Sequence, residues 1–547
     1  MAKTEPYDYV IIGAGSAGCV LSEKLTADGV SRVLTLEAGP MDNNLWIHAP
    51  AGYHKIFNGP KFNWNYETVA EPGLFDRKIF HPRGKVLGGS SSINAMVYMR
   101  GHPSDYDNWA TDFDLPEWSY DRCLPYFKAA ETSDRGADDW RGGDGPLQVT
   151  KGTIENPLYD AFLEAGVQSG QGSSDDLNGF KPEGLARMDR TVTPNGRRCS
   201  AAVAYLKPSL GRSNLTFRCD AMVNRLQVRG NRATGLDYEH KGQVHHVEVE
   251  KEIILSGGSI NSPQLLMLSG IGPADHLRKH GIDVAIDLPG VGQNLHDHPL
   301  ISLKYACTKP VTPHNLTNPL VKAWTGAKWL VTGKGLAASN MYETGGLLRS
   351  DPDMDYPNIE LQFCPVGVTF TDDGMELDQG FILHQDLLRP TSRGELTLAS
   401  ANPRDKARLQ FNYLLTEEDL LNSINGLRLA RETIAQKSFD DFRGREISPG
   451  SDMQTDKDIA GFLRSTAETD FHPISTCRMG HDGMAVVDGE MRVHGIKGLR
   501  VVDASVMPRV VSGNTNAPTQ MIAARAADFI LGKPQRTPIQ ATFHFQA

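Results

Sequence analysis

The chain has 547 residues, with 56 Lys and Arg against 66 Asp and Glu, and a net charge of −10 with neutral histidines. That length exceeds one hydrophobic core and leaves room for two or three domains, and the acidic balance disfavours a nucleic-acid partner, which needs a basic face. No apolar run reaches the ~18 residues of a membrane-spanning helix and MAKTEPYDYV has no signal-peptide core, so a cytoplasmic protein is expected, with peripheral attachment at an inner membrane left open. The seven cysteines show no CxxC and no paired framework, which suits reduced thiols and no metal site.

The first element is the stretch 7–39, YDYVIIGAGSAGCVLSEKLTADGVSRVLTLEAG. Tyr9–Ile12 is a β-branched run of the kind that forms a buried parallel strand. GAGSAG follows at once, Cys19–Leu25 has helical spacing, and Arg32–Leu36 is a second strand ending in Glu37. This is the dinucleotide fingerprint in register. Gly13 makes the tight turn, Gly15 admits a pyrophosphate to the backbone, and Gly18 lets helix and strand pack closely. The helix N-terminus favours phosphate, and Glu37 can accept from both ribose hydroxyls. The motif leaves NAD and FAD open.

The stretch 40–68 is rich in Gly, Pro and Asn and reads as an excursion over the surface or over a cofactor. A second small-residue loop, Gly88-Gly89-Ser90-Ser91-Ser92, precedes the apolar Ile93–Met99. Two such loops suit a long cofactor touched at both ends, favouring FAD. Trp118, Tyr120, Tyr126 and Phe127 are expected to be core. Strands are expected at Phe217–Val228, Ala233–Tyr238, His245–Glu252, Ile359–Phe363, Phe381–His384 and Gly394–Ala399, and a helix at Glu417–Gln436. The blocks 309–334 and 357–383 read as irregular with strand-like runs. His296-Asp297-His298 could suggest metal ligands, but it lacks a third ligand cluster.

Residues 82–101, PRGKVLGGSSSINAMVYMRG, resemble the first signature of the glucose–methanol–choline (GMC) oxidoreductases, and Gly258–Pro273, GSINSPQLLMLSGIGP, resembles the second. The similarity runs through nearly the whole chain. It is closest to the choline dehydrogenase branch in WSYDRCLPYFKAAET, DLNGFKPEG, RTVTPNGRR, FRGREISPG and VVDGEMRVHG. The resemblance implies a Rossmann-like α/β FAD-binding domain and a discontinuous α+β substrate domain on an antiparallel sheet. Residues 1–155, 209–305 and 465–535 are expected in the first, 156–208 and 306–464 in the second, and 536–547 as a tail.

It also implies a cofactor site at Gly13, Gly15, Ser16, Ala17, Glu37, Ala38, Trp64, Arg83, Val86, Gly88, Gly89, Asn94, Met96, Val97, Val223, Asp503, Ala504, Asn514, Pro518 and Thr519. FAD is expected to be non-covalent, because Ile93 stands where certain members carry a flavin-linked His. His472, in FHPISTCRMG, resembles the family's base and Asn516, in GNTNAPT, its amide partner. A neutral imidazole suits removal of a hydroxyl proton. Glu343 stands where choline-acting relatives carry an acid facing the substrate cation; a shared structural carboxylate is the alternative. The implied activity is oxidation of a primary alcohol to its aldehyde, choline first, with aliphatic, benzylic or furanic alcohols as alternatives and hydroxynitrile cleavage behind them. The electron acceptor (oxygen, quinone or carrier protein) and homo-oligomerisation stay open.

Overall fold

The computed structural model describes residues 7–57, 59–371 and 374–545. Two sheets organise them. In the first, the parallel strands run in the order Leu499–Val501, Gln243–Leu255, Tyr7–Ile12, Val33–Leu36 and Leu215–Arg218. The antiparallel strands Arg232–His240 and Ala221–Arg229 extend it from the first half of the long 243–255 strand. The expected strand Phe217–Val228 is therefore two, broken at Cys219 and Asp220. The central strands are buried on both faces, which explains their unbroken Val, Ile and Leu. The Ser16–Thr26 helix and the final Asn516–Ile530 helix pack together beside them.

The second sheet is antiparallel throughout: Arg443–Ser448, Pro299–Cys307, Gly380–Leu387, Ile359–Cys364, Thr344–Leu348 and Gly184–Arg187, with Glu468–Thr469 beside Pro299 and Leu300. The Glu417–Ala435 helix packs on it, started by the Thr416 cap and three acids in its first turn. Residues 299–305 and 468–469, expected in the cofactor domain, pair here. The expectation of irregular structure over 309–334 is also corrected. Pro319–Thr332 is a helix, capped by the Asn318 side chain and closed by Gly333 at φ 68°.

Candidate active site

The parallel strands end on a cavity of about 2240 Å³ between the two sheets, the place where open α/β sheets bind ligands. An ordinary small-molecule site occupies ~300–1,000 Å³, so there is room for a dinucleotide as well as a substrate. At one end, Glu37 accepts from the Ala14 and Gly39 amides at 2.9 and 2.8 Å and so fixes the first glycine loop. Burial lifts its carboxyl to about 7. Val223 lines this end. The two glycine loops meet where only glycine fits: a Cβ on Gly89 (φ +54°) would stand 2.7 Å from Gly15 Cα, and one on Gly13 would stand 2.4 Å from Ser256 O. The helix that follows has no acid in its first turn and no side-chain cap, so its N–H groups stay available to phosphate. These residues fit FAD.

Seventeen of the twenty expected cofactor residues line the cavity, from Gly13, Gly15, Ser16 and Ala17 through Ala38, Trp64, Arg83, Asn94, Met96 and Val97 to Asp503, Ala504, Asn514 and Thr519. Val86, Gly88 and Pro518 do not. Val86 packs with Ile47, Ile56, Phe62 and Ile93. Gly88 is a turn whose amide bonds Ala14 O at 2.8 Å. Pro518 is buried in the first turn of its helix. Asp503 reaches the cavity, but its oxygens are taken by Gly258 N, Ser262 and Ser505.

His472 lies at the other end, its peptide held from both sides. Its N–H donates to Asp297 Oδ1 at 2.6 Å, and the preceding carbonyl, of Phe471, accepts from Arg83 Nη2 at 2.8 Å. Phe471 is left at φ 65°, an uncommon conformation for a bulky residue. Asp297 is a buried hub that also accepts from Tyr413 Oη and Thr469 Oγ1. Burial pushes its carboxyl up, but His81 and the other partners outweigh that and hold it well below the usual range. The segment around residue 297 thus positions the base, a role that its sequence did not disclose.

The expected amide partner is corrected. Asn514 Nδ2, not Asn516, donates to His472 Nε2, at 3.2 Å. Asn516 begins the final helix, and its Oδ1 accepts from Ser16 Oγ at 2.8 Å. Because Nε2 accepts, the ring proton sits on Nδ1, which donates to His298 Nδ1 at 3.1 Å; the tautomer follows from this bonding pattern. Burial first, then the neighbouring His298, pushes the His472 pKa well below its ordinary value. At neutral pH the ring is therefore neutral, with Nε2 accepting from Asn514, and His472 lines the cavity.

Glu343 is also corrected. It is fully buried, accepts from Arg190 Nη1 at 2.8 Å, Ser339 Oγ at 2.6 Å and Ile154 N at 2.9 Å, and does not line the cavity. The acid that lines the cavity in contact with His472 is Asp470, whose side chain is 11 % exposed. Its Oδ2 lies 3.2 Å from His472 Nδ1 and has no hydrogen-bond partner among the described residues. Burial, then the carboxyls of Asp386 and Glu360, raises its pKa far above the usual carboxylate range. Those two face each other across neighbouring strands. Gln362 donates to Asp386 at 3.1 Å, and burial lifts Glu360 to about 8. His298, Asp470 and His472 converge within 4.8 Å, close enough to ligate a metal; in this structure the two imidazoles bond each other.

Comparisons with known proteins agree with this geometry. The N-terminal profile of the GMC oxidoreductases matches residues 7–300 and the C-terminal profile residues 390–523. An oxygen-dependent choline dehydrogenase of Pseudomonas fluorescens is 48% identical over 535 residues, 97% of this chain and 94% of that protein. The mitochondrial choline dehydrogenase of Homo sapiens is 48% identical over 539 residues, 97% and 90% of the two chains. Among solved structures, pyridoxine 4-oxidase from Mesorbium loti superposes with a TM-score of 0.88 at 32% identity, covering 96% of this chain and 100% of that one. Formate oxidase gives 0.88 at 26%, covering 97% and 99%. With both family profiles matched along a chain whose glycine loops open on one large cavity, the chain belongs to the GMC oxidoreductase family and is an FAD-dependent alcohol oxidoreductase.

Proposed function

We propose that the chain oxidises choline to betaine aldehyde. The observation that carries the reading is Asp470, a cavity-lining carboxyl beside His472 with an oxygen that no described residue satisfies. An unpaired buried carboxylate is costly, and a quaternary ammonium offsets that cost. Tyr53, Tyr342 and Phe471 line the same cavity and offer aromatic faces to a cation. The choline dehydrogenases at 48% identity support the choice.

The bound FAD supplies the hydride acceptor. His472 Nε2 takes the hydroxyl proton, Asn514 Nδ2 holds the oxygen as charge develops on it, and His298 receives the hydrogen bond from Nδ1 as the ring becomes cationic. Asp297 and Arg83 keep the ring in place. Ile93, packed among apolar side chains, supports non-covalent flavin; acid precipitation should release it. The first sheet with its closing helix forms the FAD-binding unit, and the antiparallel sheet, including 299–307 and 468–469, the substrate unit.

The test is anaerobic mixing of the purified protein with choline and with neutral alcohols while flavin absorbance is followed. Bleaching by choline supports the reading. Bleaching by neutral alcohols alone moves the substrate to an aromatic or aliphatic alcohol, which the pyridoxine oxidase neighbour favours as the second reading.

A further inference from the structure

The helix Pro319–Thr332 presents its apolar residues outward. Leu320, Trp324, Ala327 and Val331 recur at i, i+4, i+7 and i+11, which places them on one stripe. On a helix that packs in the usual way this stripe would be buried. Here Leu320 is 81%, Trp324 71% and Val331 85% exposed, and Leu330 beside them 56%. The one buried residue of the helix, Trp329, stands about 180° round the axis from Leu320 and donates to Gly196 O. The other side borders the cavity through Lys322, Thr325 and Trp329, with Leu330 at its rim.

The charge around the stripe is one-sided. From Lys309 to Tyr342 there is no Asp or Glu, in a chain that is net −10. Lys328 and Lys334 are exposed and make no ion pair among the described residues, while Lys322, also exposed, lies on the cavity side of the helix. Apolar residues with a tryptophan on the outer face and lysines at the flanks are the composition of a helix lying in a lipid interface. No helix among the described residues is long and apolar enough to cross a membrane, so the contact is with the surface. A second copy is a poorer occupant. A self-pairing through this segment would bring its lysines together with no acid in 309–342 to answer them.

We propose that this helix docks the protein on an anionic phospholipid bilayer, with the rim of the active-site cavity facing the lipid surface. The inference does not depend on which alcohol is oxidised.

The experiment is flotation of the flavin-loaded full chain with vesicles of phosphatidylcholine alone or mixed with phosphatidylglycerol, at low and high salt. Wild type should float with the mixed vesicles and be released by salt. Lys328→Ala and Lys334→Ala should each lower the partition coefficient about fivefold, and Leu320→Glu with Trp324→Glu by about tenfold or more. Both sets should keep flavin absorbance and dye-coupled turnover, which separates lost docking from lost folding. Wild type remaining unbound to mixed vesicles would overturn the proposal. So would a dimer, seen by light scattering, that the Leu320→Glu, Trp324→Glu variant splits while lipid binding is unchanged, since the stripe would then belong to a second copy.

Discussion

Glu343 and Asp470 are both buried acids beside the antiparallel sheet, and their surroundings give them opposite roles. Glu343 is answered by Arg190, Ser339 and a backbone amide, so its charge is spent inside the protein. Asp470 lines the cavity, has acids for neighbours, and keeps an enclosed oxygen beside His472 with no hydrogen-bond partner among the described residues. A satisfied carboxylate holds a fold together, whereas an unsatisfied one next to a catalytic base is available to a ligand. The two asparagines before and at the start of the last helix divide in the same way. Asn514 faces the base, and Asn516 ties the C-terminal segment to the first glycine loop.

The sharpest separation starts from the base that Asp470 adjoins. His472→Ala should retain flavin and lose turnover by about 10²–10⁴-fold, in stopped-flow reduction with either class of alcohol; near-normal reduction would remove His472 from the mechanism. Asp470→Asn should raise the KM for choline by about 10–100-fold and leave a neutral primary alcohol within about twofold, because it removes one charge-assisted contact to a cation. An equal loss on both alcohols would make Asp470 a partner of His472 instead of a cation site.

Glu343→Gln should do the reverse. It strands Arg190 in the interior and lowers stability by about 3–5 kcal/mol, read by denaturant unfolding, with the KM for choline unchanged in the folded fraction. Asn514→Ala should cost about tenfold in turnover with flavin retained, while Asn516→Ala should act on flavin loading.

The smallest effect is in pH. The raised pKa keeps Asp470 neutral when the cavity holds no cation, and it ionises as pH rises. Binding of a cation needs the ionised form, so kcat/KM for choline should climb with pH through that raised pKa. His472 is depressed and already neutral there, so it contributes no rise in the same window. Neutral alcohols should show no such limb, and Asp470→Asn should remove it from the choline profile.

The Pro319–Thr332 helix is legible after all in the sequence: its start and stop signals, Asn318-Pro319 and Gly333, are present, and its apolar residues recur at helical spacing, although the structure turns them outward. The break between Leu215–Arg218 and Ala221–Arg229 was hidden. Cys219 and Asp220 turn the chain between two apolar runs that look continuous.

The sequence alone determined the strand–glycine loop–helix–strand–acid unit and the second glycine loop, and it pointed to His472. Each is local: a glycine is demanded by the backbone at its own position, and a motif fixes its residues by short spacing. Partnership was decided by tertiary structure. His472 meets Asp297 from 175 residues away and His298 from 174, while Glu343 meets Arg190 from 153. A carboxylate is committed to the fold or left open to a ligand only by what surrounds it, and those neighbours are assembled by the two sheets.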